Sequence, residues 1–319
     1  MNSYDVFNGD ADGLFALLQL RLTKSQNSTL ITGVKRDINL LNRVDATSGD
    51  QVTVLDISLD SNIEALHVLL DRRVHVFYCD HHRCDLTPES PYLTPVLNTH
   101  ANVCTSLLIN QYLEGKFALW AVAGAFGDNL HDSATALAKT LEICETDLTR
   151  LKQLGQMINY NAYGRCVDDL LFNPEALYAW ALPFSSPLAF IQAHPHVLDT
   201  LEDTYHHDMN QAAAADSLHD TSAVKVIRFP DAPWANRIMG EYANALANQY
   251  PNKAHALVTP TSEGLFTISV RAPKSNKQGA SAVCKQFATG GGREAAAGIN
   301  ALPADQLDTF IDVLQQYYQ

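Results

Sequence analysis

Apolar positions in the first eighty residues follow two alternating periods. Residues 3–7, 51–55 and 74–79 are short, nearly continuous apolar runs of strand composition. Between them, Leu14, Leu17, Leu18 and Leu22 recur at helical spacing, and Ile63, Leu66, Leu69 and Leu70 share one face of residues 60–70. A period near 3.6 predicts an amphipathic helix; a short unbroken apolar run predicts a buried strand. Residues 29–34 read as another strand, 38–44 as a helix, and Asp12 as the cap of the helix over 13–22. Strands alternating with helices predict a parallel sheet with right-handed crossovers.

After His82 the pattern changes. A loop rich in proline (Pro88, Pro91, Pro95) comes first, and then only helical patterning from about 103 to 180. Pro183, Pro187 and Pro195 break the next segment, and the polar, Ala-rich stretch 203–220 reads as helix. A second alternation follows: strand 224–229, helix 234–248, strands 255–258 and 265–271, a short helix at 281–287, and a closing helix at 303–317. The expected class is α/β. A parallel-sheet domain with a helical cover spans 1–190, a linker 191–222, and a smaller α/β domain 223–319. Trp120, Trp180 and Trp234 lie in apolar helical contexts and are expected in the core.

Chemistry enters where the strands end. Asp10 and Asp12 follow the first strand, Asp56 ends the run at 52–55, and 74–79 runs into Asp80-His81-His82. Open α/β sheets place ligands at the carboxyl ends of their strands. Neighbouring carboxylates raise one another's pKa, and a divalent cation removes that conflict. Carboxylate and imidazole are ligands that such ions accept. Adjacent strand residues point oppositely, so one histidine is expected to face a metal and the other a substrate. Cys79 and Cys84 lie beside them, but no second Cys/His cluster completes a zinc set. Asn8-Gly9-Asp10-Ala11-Asp12-Gly13 sits at a strand-to-helix turn, and Asp128 ends an apolar helix. Taken singly, these read as caps and turns. Gly290, Gly291 and Gly292 suggest an anion cradle opening onto a short helix, with Arg293 inside it and Arg271 leaving a nearby strand. Ser106 reads as a helix cap.

Composition narrows the classes. The net charge is −13 and no basic run occurs, which argues against binding along a long duplex. Six scattered cysteines without a CxxC pair fit a reduced, cytoplasmic setting. The N-terminus has no signal-peptide pattern, and no apolar run approaches bilayer length. GxSxG, HExxH and P-loop motifs are absent.

Together these residues resemble the DHH family of phosphoesterases, which groups RecJ-like exonucleases, oligoribonucleases, cyclic-di-AMP phosphodiesterases and, more distantly, family II pyrophosphatases. Residues 8–13 look like its first motif, Asp56-Ile57-Ser58 its second, Asp80-His81-His82 its third and Gly127-Asp128 its fourth. Arg271 and residues 290–298 look like the C-terminal DHHA1 domain, with Arg293 where the usual GGGH form has histidine. The likeness covers nearly the whole chain. It implies a phosphodiesterase in which two Mn²⁺ ions (Mg²⁺ or Co²⁺ as substitutes) activate water between two α/β domains. By motif position, Asp56 bridges the ions and Asp10, His81 and Asp128 hold one of them. Asn8 stands where the family often has a stronger ligand for the other, so that site binds loosely or leans on Asp12 or Asp80. Catalysis falls to His82, Asp80 and Asp56, and phosphate anchoring to Arg271, the three glycines and Arg293. The implied substrates are short single-stranded oligonucleotides or small nucleotides: nanoRNA, phosphoadenosine phosphate or cyclic dinucleotides. The alternatives are a pyrophosphatase or polyphosphatase, or a catalytically weak nucleotide-binding protein. No membrane partner is expected, and a homodimer is left open.

Overall fold

The computed structural model describes every residue except Ser262. The chain forms two compact units, Met1–Asp203 and Thr204–Gln319.

The first unit begins with β1 (Ser3–Phe7), α1 (Ala11–Thr23), β2 (Thr29–Ile31), β3 (Gln51–Leu55), α2 (Ile63–Asp71), β4 (His75–Asp80) and β5 (Leu93–Leu97). These strands form one parallel sheet in the order β2-β1-β3-β4-β5. Val52, Val54 and Leu55 are all buried because both faces of the sheet are covered, which is why the strand reads as an unbroken apolar run. On one face, Leu66, Leu69 and Leu70 of α2 pack with Val6, Val54 and Val76. The other face carries α1 under a helical cover: α3 (Thr105–Tyr112), α4 (Ala118–Gly127), α5 (His131–Thr140), α6 (Glu145–Asn161), α7 (Pro174–Ala181) and α8 (Pro187–Ala193). The α4 helix is apolar all round because it lies between α1 and α6.

Several expectations change here. The proline-rich loop contains β5, an edge strand. Pro95 is tolerated there because an edge strand can spare a backbone donor. Residues 38–44 form only a 3₁₀ turn, Leu40–Arg43, and the strand expected over 29–34 stops at Ile31. Asp10, not Asp12, caps α1, accepting from the backbone N–H groups of Asp12 and Gly13. Of the three tryptophans only Trp120 is fully buried; Trp180 and Trp234 are half-buried.

The helix α9 (Pro195–Ala213) carries the chain through the unit boundary. The second unit continues with β6 (Ser217–Asp220), β7 (Val224–Arg228), α10 (Pro233–Gln249), β8 (Ala254–Pro260), β9 (Leu265–Arg271), α11 (Ala280–Cys284), β10 (Gly290–Gly292), β11 (Ala296–Pro303) and α12 (Leu307–Tyr318). Its sheet runs β10-β11-β9-β8-β7-β6, and only β7 and β8 are parallel. The helix expected over 203–220 ends at Ala213 and gives way to β6. The glycine run does not open onto a helix. It is an edge strand paired antiparallel with β11, and Ala295–Gly298 belongs to the turn and return strand. Gly290 is needed there because a Cβ would drive into the Cys284 carbonyl of α11.

His255 lies wholly buried in β8, and neither ring nitrogen has a hydrogen-bond partner among the described residues. Burial, with Lys253 and Lys225 adding, lowers its pKa to about 4. The unfolded chain therefore takes up a proton near the ordinary histidine pKa while the folded chain does not. Stability is intact above that pKa and is lost as pH falls toward about 4, by up to roughly 3 kcal/mol. The urea midpoint of the native chain is expected to fall more steeply than that of His255→Leu as pH falls from 7 to 4.5. A gap that does not change with pH would contradict this.

Candidate metal centre

The order of the first sheet makes β1 and β3 neighbours, with connections leaving in opposite directions, to β2 and to β4. Ligands sit at such a switch point, beyond the carboxyl ends of the strands. The loops after β1, β3 and β4 bring Asn8, Asp10, Asp12, Asp56, Asp80, His81 and His82 to this edge, and Asp128 arrives at the end of α4.

Each backbone turn has a local cause. Gly13 lets α1 start against the Asn8 backbone, where a Cβ would clash. Asp56 takes a left-handed φ of 59°, which Asp tolerates better than most residues, and so turns its carboxylate back over the strand end. It accepts from the Thr105 hydroxyl at 3.2 Å. Asp12 accepts from the backbone N–H groups of Thr105 and Ser106, both at 2.7 Å, and so caps α3 from across the fold. The Ser106 hydroxyl donates to the Asp12 carbonyl, so Ser106 is tied in but is not itself the cap.

His81 is the hub. Its Nε2 lies 3.4 Å from Asp56 Oδ1, 3.8 Å from Asp128 Oδ2 and 3.9 Å from Asp12 Oδ2. These are separations of atoms gathered around a common point rather than of direct hydrogen bonds. Two overlapping ligand sets result: Asp56, His81 and His82, and Asp12, His81 and Asp128. Both histidines line one cleft with Asn8, Asp10, Lys35, Asp56 and Asp128, so the opposite orientation expected from strand alternation does not apply. The strand ends at Asp80, before the pair begins. His82 Nδ1 donates to Asp80 Oδ1 at 2.7 Å, and the second Asp80 oxygen is buried without a hydrogen-bond partner among the described residues.

Charge follows from this crowding. Burial, then Asp12, Asp10, Asp128 and Asp80, push the Asp56 carboxyl well above its ordinary range. Burial and Asp12 push Asp128 up to about 7 against the opposing pull of Lys35. The hydrogen bond to Asp80 raises the His82 pKa against burial. An oxygen and imidazole donor set with more carboxylates than neighbouring cations can neutralise, and one orphaned carboxylate oxygen, fits a divalent ion.

Lys35 escaped the sequence reading. It follows β2 at the same sheet edge, and its ammonium lies 2.5 Å from Asp10 Oδ2 and 2.8 Å from Asn159 Oδ1. Burial would lower the pKa of Lys35, but Asp10, Tyr163 and Asp128 raise it above its ordinary value. Burial raises Asp10, yet Lys35 outweighs this and holds the carboxyl below its ordinary range. The signal was available: strand ends deliver cations as readily as acids. Asn8 and Asp10, both expected as ligands, lie in the cleft, and Asp10 is outside the two carboxylate and imidazole sets that meet at His81.

The residues expected to anchor phosphate belong to the second unit. Arg271 ends β9, registered opposite Ala296, and donates to Asn244 and Ser269. Arg293 is exposed at the β10–β11 turn, where its backbone N–H and C=O pair with Ala296. Gly290, Gly291 and Gly292 form the adjoining edge strand.

The DHHA1 domain family matches residues 212–319. No curated protein sequence matches the chain. The chain is similar in fold to the exonuclease RecJ bound to manganese, with a TM-score of 0.64 and 17% identity over 99% of this chain and 90% of that one. RecJ of Thermus thermophilus in complex with Mn²⁺ gives a TM-score of 0.65 at 16% identity over 99% of this chain, which spans 52% of that protein. The pGpG-specific phosphodiesterase PggH of Vibrio cholerae gives 0.57 at 12% identity, over 99% and 98% of the two chains. At such identities the likeness is one of fold.

Proposed function

We propose, from the DHHA1 domain over residues 212–319 and the likeness in fold to RecJ and the pGpG phosphodiesterase, that the chain is a DHH-type phosphoesterase that hydrolyses phosphoester bonds with a divalent metal ion held around His81. The observation that carries this reading is the convergence of Asp12, Asp56 and Asp128 on His81 Nε2 at 3.4 to 3.9 Å. The ion's identity is proposed as Mn²⁺, with Asp12, Asp56, His81 and Asp128 holding it. When bound, a divalent ion lowers the pKa of water and draws charge from a phosphate oxygen.

The chain's own residues do the rest. Thr105 fixes the Asp56 carboxylate. The Asp12 carboxylate is locked by two backbone donors of α3. Asp80 holds the His82 ring through Nδ1, which leaves Nε2 as the nitrogen available to a phosphate oxygen or leaving group in the cleft. A positively charged His82 favours the charge that builds on phosphate oxygens in the transition state. The cleft is small, about 120 Å³, a size that suits the reacting phosphoryl group.

The substrate class we propose is short 5′-phosphorylated single-stranded oligonucleotides, dinucleotides first among them. The acidic net charge of −13 disfavours long polyanions. The exposed Arg293 and the adjacent Arg271 strand end offer guanidinium groups to a substrate phosphate. RecJ and the pGpG phosphodiesterase, similar in fold, act on nucleic acid and a dinucleotide by name. The test is a rate comparison with Mn²⁺ across RNA and DNA di- to pentamers, phosphoadenosine phosphate, cyclic dinucleotides and pyrophosphate. Fastest release of mononucleotide from linear dinucleotides is expected. Preference for pyrophosphate would establish the pyrophosphatase alternative instead.

A further inference from the structure

At Asn8 and Asp10, through which a second ion would be held, this chain already places a protein cation, the Lys35 ammonium. Asn8 Oδ1 accepts from the Asp10 backbone N–H at 3.2 Å, and its Nδ2 donates to the Lys35 carbonyl at 3.4 Å. Asp10 Oδ1 caps α1, and Asp10 Oδ2 receives the Lys35 ammonium at 2.5 Å. That ammonium is held from two further sides, by Asn159 Oδ1 at 2.8 Å and by the face of Tyr163, whose ring centroid is 5.7 Å away. Meanwhile both convergent carboxylate and imidazole sets share His81 and omit Asp10.

We propose that the Lys35 ammonium is a built-in cation standing in for one ion, so that the centre holds a single divalent ion, the one around His81. A divalent ion on Asp10 would have to sit against a fixed positive charge in a poorly solvated place, where like charges repel strongly. The neutral amide at position 8 fits this arrangement: a second anionic ligand is not needed where one ammonium already balances Asp10. An ammonium has three donors, and Asp10 and Asn159 take two. Lys35 lines the cleft, so its third donor would serve a non-bridging oxygen of a phosphate bound there. That last role rests on the hydrolase reading; the ion count does not.

The test counts manganese on the full-length chain by equilibrium dialysis and metal analysis, and reads the spin state by electron paramagnetic resonance. The native chain is expected to bind one ion with an uncoupled six-line spectrum. Lys35→Met combined with Asn8→Asp is expected to gain a second ion and an exchange-coupled spectrum, with circular dichroism confirming the fold. Two coupled ions on the native chain would overturn the proposal while leaving the hydrolase reading intact. A folded double variant that still binds one ion would also overturn it. If the double variant does not fold, the native count decides alone. One ion with no hydrolysis of any phosphoester would uphold the count and sink the hydrolase reading.

Discussion

Asp56→Asn is expected to reduce manganese-dependent hydrolysis by at least about a thousandfold, roughly 4 kcal/mol of transition-state stabilisation. The substitution is nearly isosteric. Asn accepts the left-handed backbone that position 56 requires, and its carbonyl oxygen can still accept from the Thr105 hydroxyl. What disappears is the carboxylate 3.4 Å from His81 Nε2 and 3.9 Å from His82 Nδ1. Stability moves the other way. The Asp56 carboxyl is already pushed well above its ordinary pKa by burial and by four neighbouring acids, so a neutral amide relieves rather than creates strain in the metal-free chain. The metal-free variant should therefore melt no lower than the native chain. Steady-state rates at saturating Mn²⁺, paired with melting curves without metal, check both halves. Unchanged turnover would remove Asp56 from the chemistry, and a large drop in melting temperature would show a structural role instead.

Arg21→Met is expected to cost the first unit about 3–5 kcal/mol, the typical loss when one partner of a buried pair is removed. Arg21, in the last turn of α1, forks onto both Asp5 oxygens in β1 and donates to Thr53 in β3 at 2.9 Å. Asp5 is 1% exposed and Arg21 7%, so neither charge can recruit water when its partner leaves. Against a total stability of about 5–15 kcal/mol this is a large share. Asp5→Leu with Arg21→Met should recover most of it, since removing both charges leaves nothing unpaired. Urea denaturation of the single and double variants measures the difference. A single variant that loses less than about 1 kcal/mol would mean the pair is solvated in solution.

The parallel sheet and its acidic edge were legible because they are written locally. Each of β1, β3 and β4 is an apolar run that stops at or just before an acid, and the sheet order then makes those strands neighbours. The elements that escaped notice lack that signature. β5 carries Thr94 and Pro95 exposed on an edge, β6 is the polar segment Ser217–Asp220, and β10 is three glycines whose pairing with β11 depends on a partner later in the chain. The site divides in the same way. Asp56, His81 and Asp128 were legible as acids and an imidazole at element ends. The actual business of Asp12 was not, because its carboxylate caps a helix more than ninety residues away. Nor was the engagement of Asp10, because it depends on Lys35 crossing from the end of β2 and on Asn159 from α6. Non-local hydrogen bonds of this kind leave no period in the sequence.

The most direct test of the central claim is product analysis of a linear, 5′-phosphorylated diribonucleotide incubated with the full-length chain and Mn²⁺, with and without chelator. The expected result is mononucleotide release that chelator stops and that His81→Ala lacks. Intact dinucleotide after prolonged incubation, with manganese shown to be bound, would contradict the assignment of hydrolysis to the centre around His81.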